Sequence, residues 1–255
     1  MSNGQDIFIV AGARTAIGTF GGALASFRPA ELGAIVIREA IDRAGITGAD
    51  VQNVVIGTVV PTQPKDAYVS RVAAVNAGIP TDAPAMNVNR LCGSGLQAIV
   101  SAAQAIALGE HDVAVAGGAE SMSNAPHMVL SARNGQKMGN IEMVDAMLGA
   151  LHDPFENIHM GVTAENVAER CGISREEQDA VAVESHKRAA AAIAAGYFKE
   201  QIVPVEIKTR KGVTIFDTDE HVRADASLEG MGGLRPVFKK DGTVTAGNAS
   251  GINDG

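Results

Sequence analysis

The residues best suited to chemistry surround Cys92, in the segment NRLCGSGLQA at residues 89–98. Cys92 lies between a predicted short strand and a predicted helix that begins with glycine, serine and glycine. Unpaired N–H groups at the start of a helix favour negative charge, so they would stabilise a thiolate at this position. The glycines would let a substrate carbonyl approach the backbone closely. The segment therefore predicts a cysteine nucleophile on a strand-to-helix turn, comparable with the nucleophile elbow of hydrolases.

A cysteine at this position also has two other interpretations. It can be a small buried hydrophobe without special reactivity. In addition, GSGLQA at residues 93–98 matches the G-x-G-x-x-A fingerprint of dinucleotide-binding turns, and Glu120 follows the next predicted strand. Against that match, the strand before the glycines is short, ends in polar residues and is the third strand of the unit. A Rossmann NAD-binding domain is kept as a distant alternative.

The second cysteine and the histidines give weaker signals. Cys171 precedes Gly172 at the end of a predicted helix, where a half-buried structural residue is expected. The chain has no C-x-x-C motif and its six histidines are scattered, so no metal site is predicted. His159 stands in an HMG motif beside a Met-rich loop, which favours a place in a pocket wall. Ser250, in AGNASG, is expected at a turn and can bind a ligand if that turn faces a pocket.

Alternating strand and helix signals position these residues in the first half of the chain. Strands are predicted at residues 7–13, 54–60, 85–88 and 113–116, with helices beginning near Pro29, Asp66 and Ser94. Repetition at this pitch is typical of an α/β fold, with a mainly parallel sheet and helices on both faces. After about residue 121 the periodicity weakens. A helix capped by Ser174 and Glu177 and a β-ribbon at residues 203–216 then indicate an inserted α+β segment.

Composition limits the class of protein. The chain has 255 residues and a formal net charge of −8, without a basic block, which argues against nucleic-acid and anionic-membrane partners. Two cysteines do not form a disulfide framework, so a reducing compartment is expected. No apolar run reaches the ~18–20 residues of a membrane span, and the first residues lack the features of a secretory signal. The expected location is the cytoplasm.

Motifs in sequence order resemble the thiolase family. They are ARTxxGxFxG at residues 13–22, NxxCGSG at residues 89–95, GGAESMS at residues 117–123, HMG at residues 159–161 and TAGNASGINDG at residues 245–255. The resemblance covers the whole chain, and the biosynthetic acetyl-CoA acetyltransferase branch is the most similar one. It implies a thiolase N-terminal α/β half at residues 4–121, a coenzyme A-binding loop domain at residues 122–248 and a truncated return at residues 249–255. It also implies that the C-terminal half of the fold is absent from these 255 residues.

The resemblance implies an acyl-transfer reaction through Cys92. The cysteine would accept an acetyl group from acetyl-CoA, and a second acetyl-CoA would then attack the thioester to give acetoacetyl-CoA. Thiolysis is the reverse reaction. Coenzyme A thioesters are substrates in this chemistry, so no cofactor and no metal is expected. The complete protein is expected to be a homo-oligomer, either a dimer or a tetramer.

The family's coenzyme A contacts map onto residues of this chain. They are Leu151, His159, Met160, Arg223, Phe238, Ala246, Ala249, Ser250 and Ile252. Arg223 would lie by the adenine and Ser250 by the pantetheine arm, while the backbone at the two alanines would also contact that arm. Gly230 stands where the biosynthetic enzymes commonly have serine, so a hydroxyl group near the nucleotide is lost.

Three family motifs do not occur in the sequence. They are Asn-Glu-Ala-Phe, the Gly-His-Pro motif that carries the activating histidine, and the C-x-G segment that carries a second reactive cysteine. Cys171 matches none of them. The chain alone is therefore expected to be inactive. The alternatives are a ketoacyl synthase-like enzyme, a degradative 3-ketoacyl-CoA thiolase and a non-catalytic fragment that binds coenzyme A.

Overall fold

The computed structural model describes residues 6–210 and 212–255. The helices are α1 (Pro29–Ala44), α2 (Val69–Asn76), α3 (Ser94–Ala107), α4 (Ala146–Ala150), α5 (Met160–Cys171), α6 (Arg175–Ala194) and α7 (Leu228–Gly232). The first strands are β1 (Arg14–Thr15), β2 (Gly18–Thr19), β3 (Asn53–Gly57), β4 (Ala85–Val88), β5 (Ala114–Gly118) and β6 (His127–Met128). They are followed by β7 (Val144–Asp145), β8 (Ile202–Val203), β9 (Val205–Thr209), β10 (Gly212–Phe216) and β11 (Asn253–Asp254).

The chain forms two compact units. One contains the chain up to His127 together with Glu200–Glu220 and Asn253–Gly255, and the other contains Met128–Lys199 and His221–Ile252. Residues 200–220, which the sequence analysis assigned to the loop domain, therefore pack with the first unit. They bring the antiparallel ribbon of β9 and β10 with them, in which Val213 is opposite Lys208. The β-ribbon predicted at residues 203–216 is therefore confirmed.

The sheet of the first unit is parallel, in the order β4-β3-β5. Alternation along β3 points successive side chains to opposite faces. Val54 and Ile56 pack into a cluster with residues of α1 and α2, whereas Val55 packs against α3 through Ala98 and Ala102. The predicted α/β architecture, with a parallel sheet and helices on both faces, is confirmed.

Helix α1 shows how local sequence sets the elements that cover this sheet. Pro29 is the first helical residue, where its missing N–H costs no hydrogen bond. Glu31 reaches back to accept a bond from the Arg28 N–H at 2.8 Å, and Gly45 ends the helix with a φ of 68°. Ile37 and Ile41, one turn apart, are both buried.

The predicted strand at residues 7–13 is wrong. The first strand begins only at Arg14, and its two residues pair in parallel with β8. The side chains of Phe8 and Ile9 are 76% and 81% exposed. An apolar run of residues forms a buried strand only where neighbouring strands and helices cover it. Composition alone does not show whether such neighbours exist. Residues 7–13 form neither helix nor strand.

Helix α3 is also apolar on the side that faces away from the sheet. Its buried residues are small (Ser94, Ala98 and Ala102), whereas Leu96, Ile99 and Val100 are exposed, the first of them by 69%. We call these three residues the outer face of α3. A helix that is apolar all round is usually covered on all sides. Across residues 6–210 and 212–255, no helix is both long and apolar enough to span a membrane.

The second unit is mainly helical. Its longest helix, α6, begins at the predicted capping box, in which the Glu177 N–H donates to Ser174 Oγ at 3.1 Å. In return, the Ser174 N–H donates to Glu177 Oε2 at 2.8 Å. Gly172, in the left-handed conformation with a φ of 66°, ends the preceding helix α5. The sequence signals therefore placed both helix ends correctly.

Candidate active site

Cys92 is exposed on the turn between β4 and α3. It comes one residue before Gly93, the N-cap of α3. Leu91, just before it, has a φ of 48°, which is uncommon for a residue with a branched side chain. The Ser94 hydroxyl holds this turn, because it accepts from the Arg90 N–H at 2.9 Å and donates to the Leu91 carbonyl at 2.6 Å. The thiol is thus presented at the start of a helix on a tightly bonded turn.

Two glycines, one in each of two neighbouring strands, let the first turn of α3 lie directly on the sheet. A Cβ atom at Gly57 in β3 would be 2.5 Å from the Ser94 carbonyl carbon and 2.8 Å from the Gly95 nitrogen. A Cβ atom essentially never comes within 3.0 Å of an atom to which it is not bonded, and both neighbours here are backbone. A Cβ atom at Gly118 in β5 would come within 3.4 Å of the Gly95 Cα atom. The position of Cys92 therefore depends on missing side chains in two neighbouring strands.

Glu120 joins two loops at the carboxyl edge of this sheet. Its carboxylate accepts from the backbone N–H groups of Val59 at 2.8 Å and Val60 at 3.1 Å, and the Asn89 side chain donates to the Val59 carbonyl at 3.3 Å. Burial raises the pKa of Glu120, the two N–H donors partly offset that rise, and the Asp66 carboxylate adds to it. These hydrogen bonds connect the segments that follow β3, β4 and β5, and Asn89 lies three residues before Cys92 in the sequence.

The sequence analysis missed a second network in the first unit. Asp254 is buried, and its carboxylate accepts from the backbone N–H of Ser123 at 2.9 Å and from the Ser123 hydroxyl. That hydroxyl in turn accepts from the Gly21 N–H at 2.8 Å. The residues lie in three of the quoted motifs, so the signal was present, but sequence spacing did not show that these motifs contact one another.

Four of the predicted coenzyme A contacts lie together in the second unit. The rings of His159 and Phe238 stack with centroids 4.7 Å apart, and the Met160 N–H donates to the Leu151 carbonyl at 2.8 Å. The Phe238 ring occupies the space where Gly161 would carry a side chain, which explains the glycine of the HMG motif.

His159 caps the start of helix α5. Its Nδ1 accepts from the Gly161 N–H at 2.9 Å, so in this state the ring is neutral. Burial lowers the pKa of His159, and the neighbouring His152 lowers it further. The imidazole is therefore held as a hydrogen-bond acceptor and apolar wall.

The loop of residues 243–250 brings three further predicted contacts together. Thr245 is completely buried, and its carbonyl accepts from the Ala249 N–H at 3.0 Å. Ala246 and Ser250 are exposed on the same loop. The loop therefore has a buried, fixed side and an exposed side that carries the residues expected to contact pantetheine.

Other sequence-predicted residues are more scattered. Arg223 is exposed, and its backbone N–H donates to His186 Nδ1 at 3.1 Å. Ile252 is half-buried, just before β11. Gly230 lies in α7, and its N–H donates to the capping Ser227 hydroxyl at 3.1 Å. Cys171 is the last residue of α5, as expected, but it is exposed rather than half-buried.

The fold and the site define an α/β protein with a candidate nucleophilic cysteine at a strand-to-helix turn. The chain matches the family described as "Thiolase, N-terminal domain" over residues 7–255. It belongs to the thiolase family. The family match over residues 7–255 accounts for the glycines at residues 93–98 without a dinucleotide site, and the Glu120 carboxylate accepts from the backbone N–H groups of Val59 and Val60.

Curated relatives extend this result. The chain is 64% identical over 251 residues to "Beta-ketothiolase BktB" of Cupriavidus necator, a match that covers 98% of this chain and 64% of that protein. It is 51% identical over 253 residues to an "Acetyl-CoA acetyltransferase" of Chromobacterium violaceum, with the same two coverages. The chain therefore spans about two thirds of the length of the curated relatives it matches.

A solved structure agrees with the fold. The crystal structure of human mitochondrial 3-ketoacyl-CoA thiolase in complex with CoA superposes with a TM-score of 0.93 at 41% sequence identity. The match covers 97% of this chain and 62% of that one. The expected thiolase fold is confirmed.

The two cysteines are expected to differ in reactivity. Cys92 lies at the N-terminal end of α3 and Cys171 at the C-terminal end of α5. Helix dipoles favour negative charge at the first position and oppose it at the second, so iodoacetamide at pH 7 should alkylate Cys92 about fivefold faster. Peptide mapping of a folded sample over time measures both rates, and Cys171 is the internal control because both thiols are exposed. Equal rates, or faster labelling of Cys171, would contradict the prediction.

Proposed function

We propose that this chain is the cysteine-bearing part of an acetyl-CoA C-acetyltransferase. The observation that carries the proposal is the exposed thiol of Cys92 at the start of α3, in a family whose relatives include an acetyl-CoA acetyltransferase. In the whole protein two acetyl-CoA molecules would condense to acetoacetyl-CoA, and thiolysis would run in reverse. The substrates are coenzyme A thioesters, and no cofactor is required for this chemistry.

The first half-reaction is a thioester exchange at Cys92. The thiolate sulfur attacks the carbonyl carbon of acetyl-CoA, and a C–S bond forms. The bond between that carbon and the coenzyme A sulfur breaks, and the departing thiolate takes the proton that Cys92 lost. One thioester replaces another, so the step is nearly balanced in free energy, and cysteine is a strong nucleophile near neutral pH.

We assign coenzyme A binding to the second unit. The stacked rings of His159 and Phe238 form an apolar wall suited to the pantetheine chain. Ser250 and the backbone at Ala246 and Ala249 offer polar contacts to its amides, because they lie on the exposed part of their loop or next to it. Arg223 is an exposed cation suited to the nucleotide end. Leu151, Met160 and Ile252 complete the proposed lining of this binding surface.

A degradative 3-ketoacyl-CoA thiolase is the second candidate. The superposition on human mitochondrial 3-ketoacyl-CoA thiolase, with a TM-score of 0.93 at 41% identity, supports this candidate. Both candidates use the same acyl-cysteine intermediate and differ in direction and in the acyl chain.

We further propose a cytoplasmic homo-oligomer that has no membrane or nucleic-acid partner. The net charge of −8 argues against a nucleic-acid or anionic-membrane partner, and the small number of cysteines fits a reducing compartment.

Acetyl transfer to the 255-residue chain tests the proposal. Incubation with acetyl-CoA should add the mass of one acetyl group, and peptide mapping should locate it on Cys92. The Cys92→Ser variant should lose the adduct under the same conditions, because an alcohol at neutral pH is a much weaker nucleophile than a thiolate. The Cys171→Ser variant is the matched control and should keep the adduct. No adduct on the unmodified chain, or an adduct that survives Cys92→Ser, would overturn the proposal.

A further inference from the structure

A buried carboxylate accepts hydrogen bonds from the first residues of the loop of residues 243–250. Glu165 lies in α5 and is only 4% exposed. Its two oxygens accept from the Thr243 N–H at 2.8 and 2.9 Å, and the Val244 N–H donates to Oε1 at 2.8 Å. The Thr243 hydroxyl donates to Oε2 at 2.9 Å. The acceptor sites of this carboxylate are thus occupied by donors from the first two residues of the loop.

A second buried carboxylate holds the other end of the loop. Asp179 in α6 is also 4% exposed, and it accepts from the Asn248 side-chain NH₂ at 2.9 Å. The side-chain oxygen Oδ1 of Asn248 accepts from the Thr245 N–H at 2.8 Å. Arg175 forms an ion pair with Asp179 at 2.7 Å, so the second carboxylate has a cationic partner within α6.

Two glycines, one just before the loop and one within it, let the backbone lie close to the surrounding side chains. A side chain at Gly242 would collide with the Glu165 carboxylate, and one at Gly247 would collide with Met231 and Leu234. Burial by itself raises the pKa of Glu165, but the hydrogen bonds from Thr243 and Val244 and the nearby Lys239 hold it below its usual value. Glu165 is therefore an ionised acceptor, and bonds to an ionised acceptor are stronger than bonds between neutral groups.

We propose that Glu165 is a positioning residue for coenzyme A, because it fixes the backbone that presents Ser250 and the loop alanines to the pantetheine arm. The inference rests on the proposed function and deepens it. Glu165 itself is buried and touches no substrate. It acts through Thr243 and Val244, so its removal should weaken recognition of coenzyme A and leave the reactivity of Cys92 unchanged.

The Glu165→Gln variant tests this role in the 255-residue chain. The amide keeps the shape of the side chain but replaces one acceptor oxygen with a donor that faces the donors of Thr243. We expect the acetyl-CoA concentration for half-maximal acetylation of Cys92 to rise about tenfold, which is the effect of losing one hydrogen bond to a charged group. The rate with S-ethyl thioacetate, a thioester without the pantetheine arm, should not change. Hydrogen exchange at the Thr243 and Val244 amides should become faster.

Glu169→Gln is the matched control. Glu169 lies one turn along the same helix, is exposed and pairs with Lys239 at 3.0 Å, so its neutralisation should leave half-saturation with acetyl-CoA unchanged. If Glu165→Gln does not fold, Thr243→Val decides the question, because it removes one donor and keeps the carboxylate. A smaller rise in half-saturation supports the role of Glu165, and an unchanged value overturns it.

The outcomes separate this inference from the proposed function. An unmodified chain that accepts no acetyl group from either thioester overturns the proposed function. An active unmodified chain and a folded Glu165→Gln variant with equal half-saturation overturn the positioning role alone. An equal loss with both thioesters also overturns it, because that result would mean general damage to the fold rather than weakened recognition of the pantetheine arm.

Discussion

The 255-residue chain alone is expected to show no steady thiolysis of acetoacetyl-CoA. The sequence contains the proposed nucleophile, Cys92, but not the Gly-His-Pro and C-x-G motifs that the resemblance to thiolases leads us to expect in the whole protein. Catalytic groups that act as a unit lose several orders of magnitude in rate when members are missing. Turnover should therefore lie at least ~10³-fold below the ~10 per second typical of enzymes. Loss of the magnesium-enolate absorbance of acetoacetyl-CoA, on protein of verified mass, is the measurement.

A fusion provides the positive control for this first prediction. The chain, extended with the C-terminal third of the Cupriavidus necator β-ketothiolase, should recover thiolysis, because the two proteins are 64% identical over the shared region. Cys92→Ser in the same fusion should abolish it. Rapid turnover by the 255 residues alone would contradict the prediction and would mean that another residue of this chain acts as the base.

Gly57→Ala is expected to have the largest effect on stability. The new Cβ atom would meet the Ser94 carbonyl carbon at 2.5 Å, and the neighbouring atoms are backbone that can move only if α3 shifts. Overpacking of this kind costs about 3 kcal/mol in the free energy of unfolding. Displacement of α3 should also slow the alkylation of Cys92. Urea unfolding followed by circular dichroism measures the stability change.

Gly117→Ala is the matched control for Gly57→Ala. Gly117 lies on the adjacent strand β5, opposite Ile56, and a Cβ atom there would have no other atom within 4 Å. The control should change stability by less than about 1 kcal/mol, in either direction, because only the flexibility of the unfolded chain is altered. Similar losses for the two variants would show that the packing of α3 on Gly57 is not the cause.

Local features of the fold were predictable from the sequence. Pro29 and Gly45 mark the ends of α1, and Ser174 with Glu177 marks the start of α6, because each signal acts within one turn of the backbone. The parallel sheet followed from the alternation of strands and helices. The same logic failed at residues 7–13, where an apolar segment depends on neighbours that local sequence does not specify.

The position of Cys92 on a strand-to-helix turn was predictable from the sequence, but the hydrogen bonds that hold the surrounding loops were not. Cys92 sits in a glycine-rich turn that sequence alone makes conspicuous. Glu165, in contrast, is one of two acidic residues in α5, and its partner Thr243 is 78 residues away in sequence. Asp254 and Ser123 are separated by 131 residues. Such pairings are set by tertiary packing, and a single sequence carries no local signal for them.

The outer face of α3 has a practical consequence for handling the protein. Leu96, Ile99 and Val100 expose branched hydrocarbon side chains to solvent. Attraction between such surfaces strengthens on warming from the cold, and excluded salts such as sulfate strengthen it further. The 255-residue chain should therefore stay unassociated in cold, dilute solutions of low sulfate concentration. It should associate reversibly when the solution is warmed or sulfate is added.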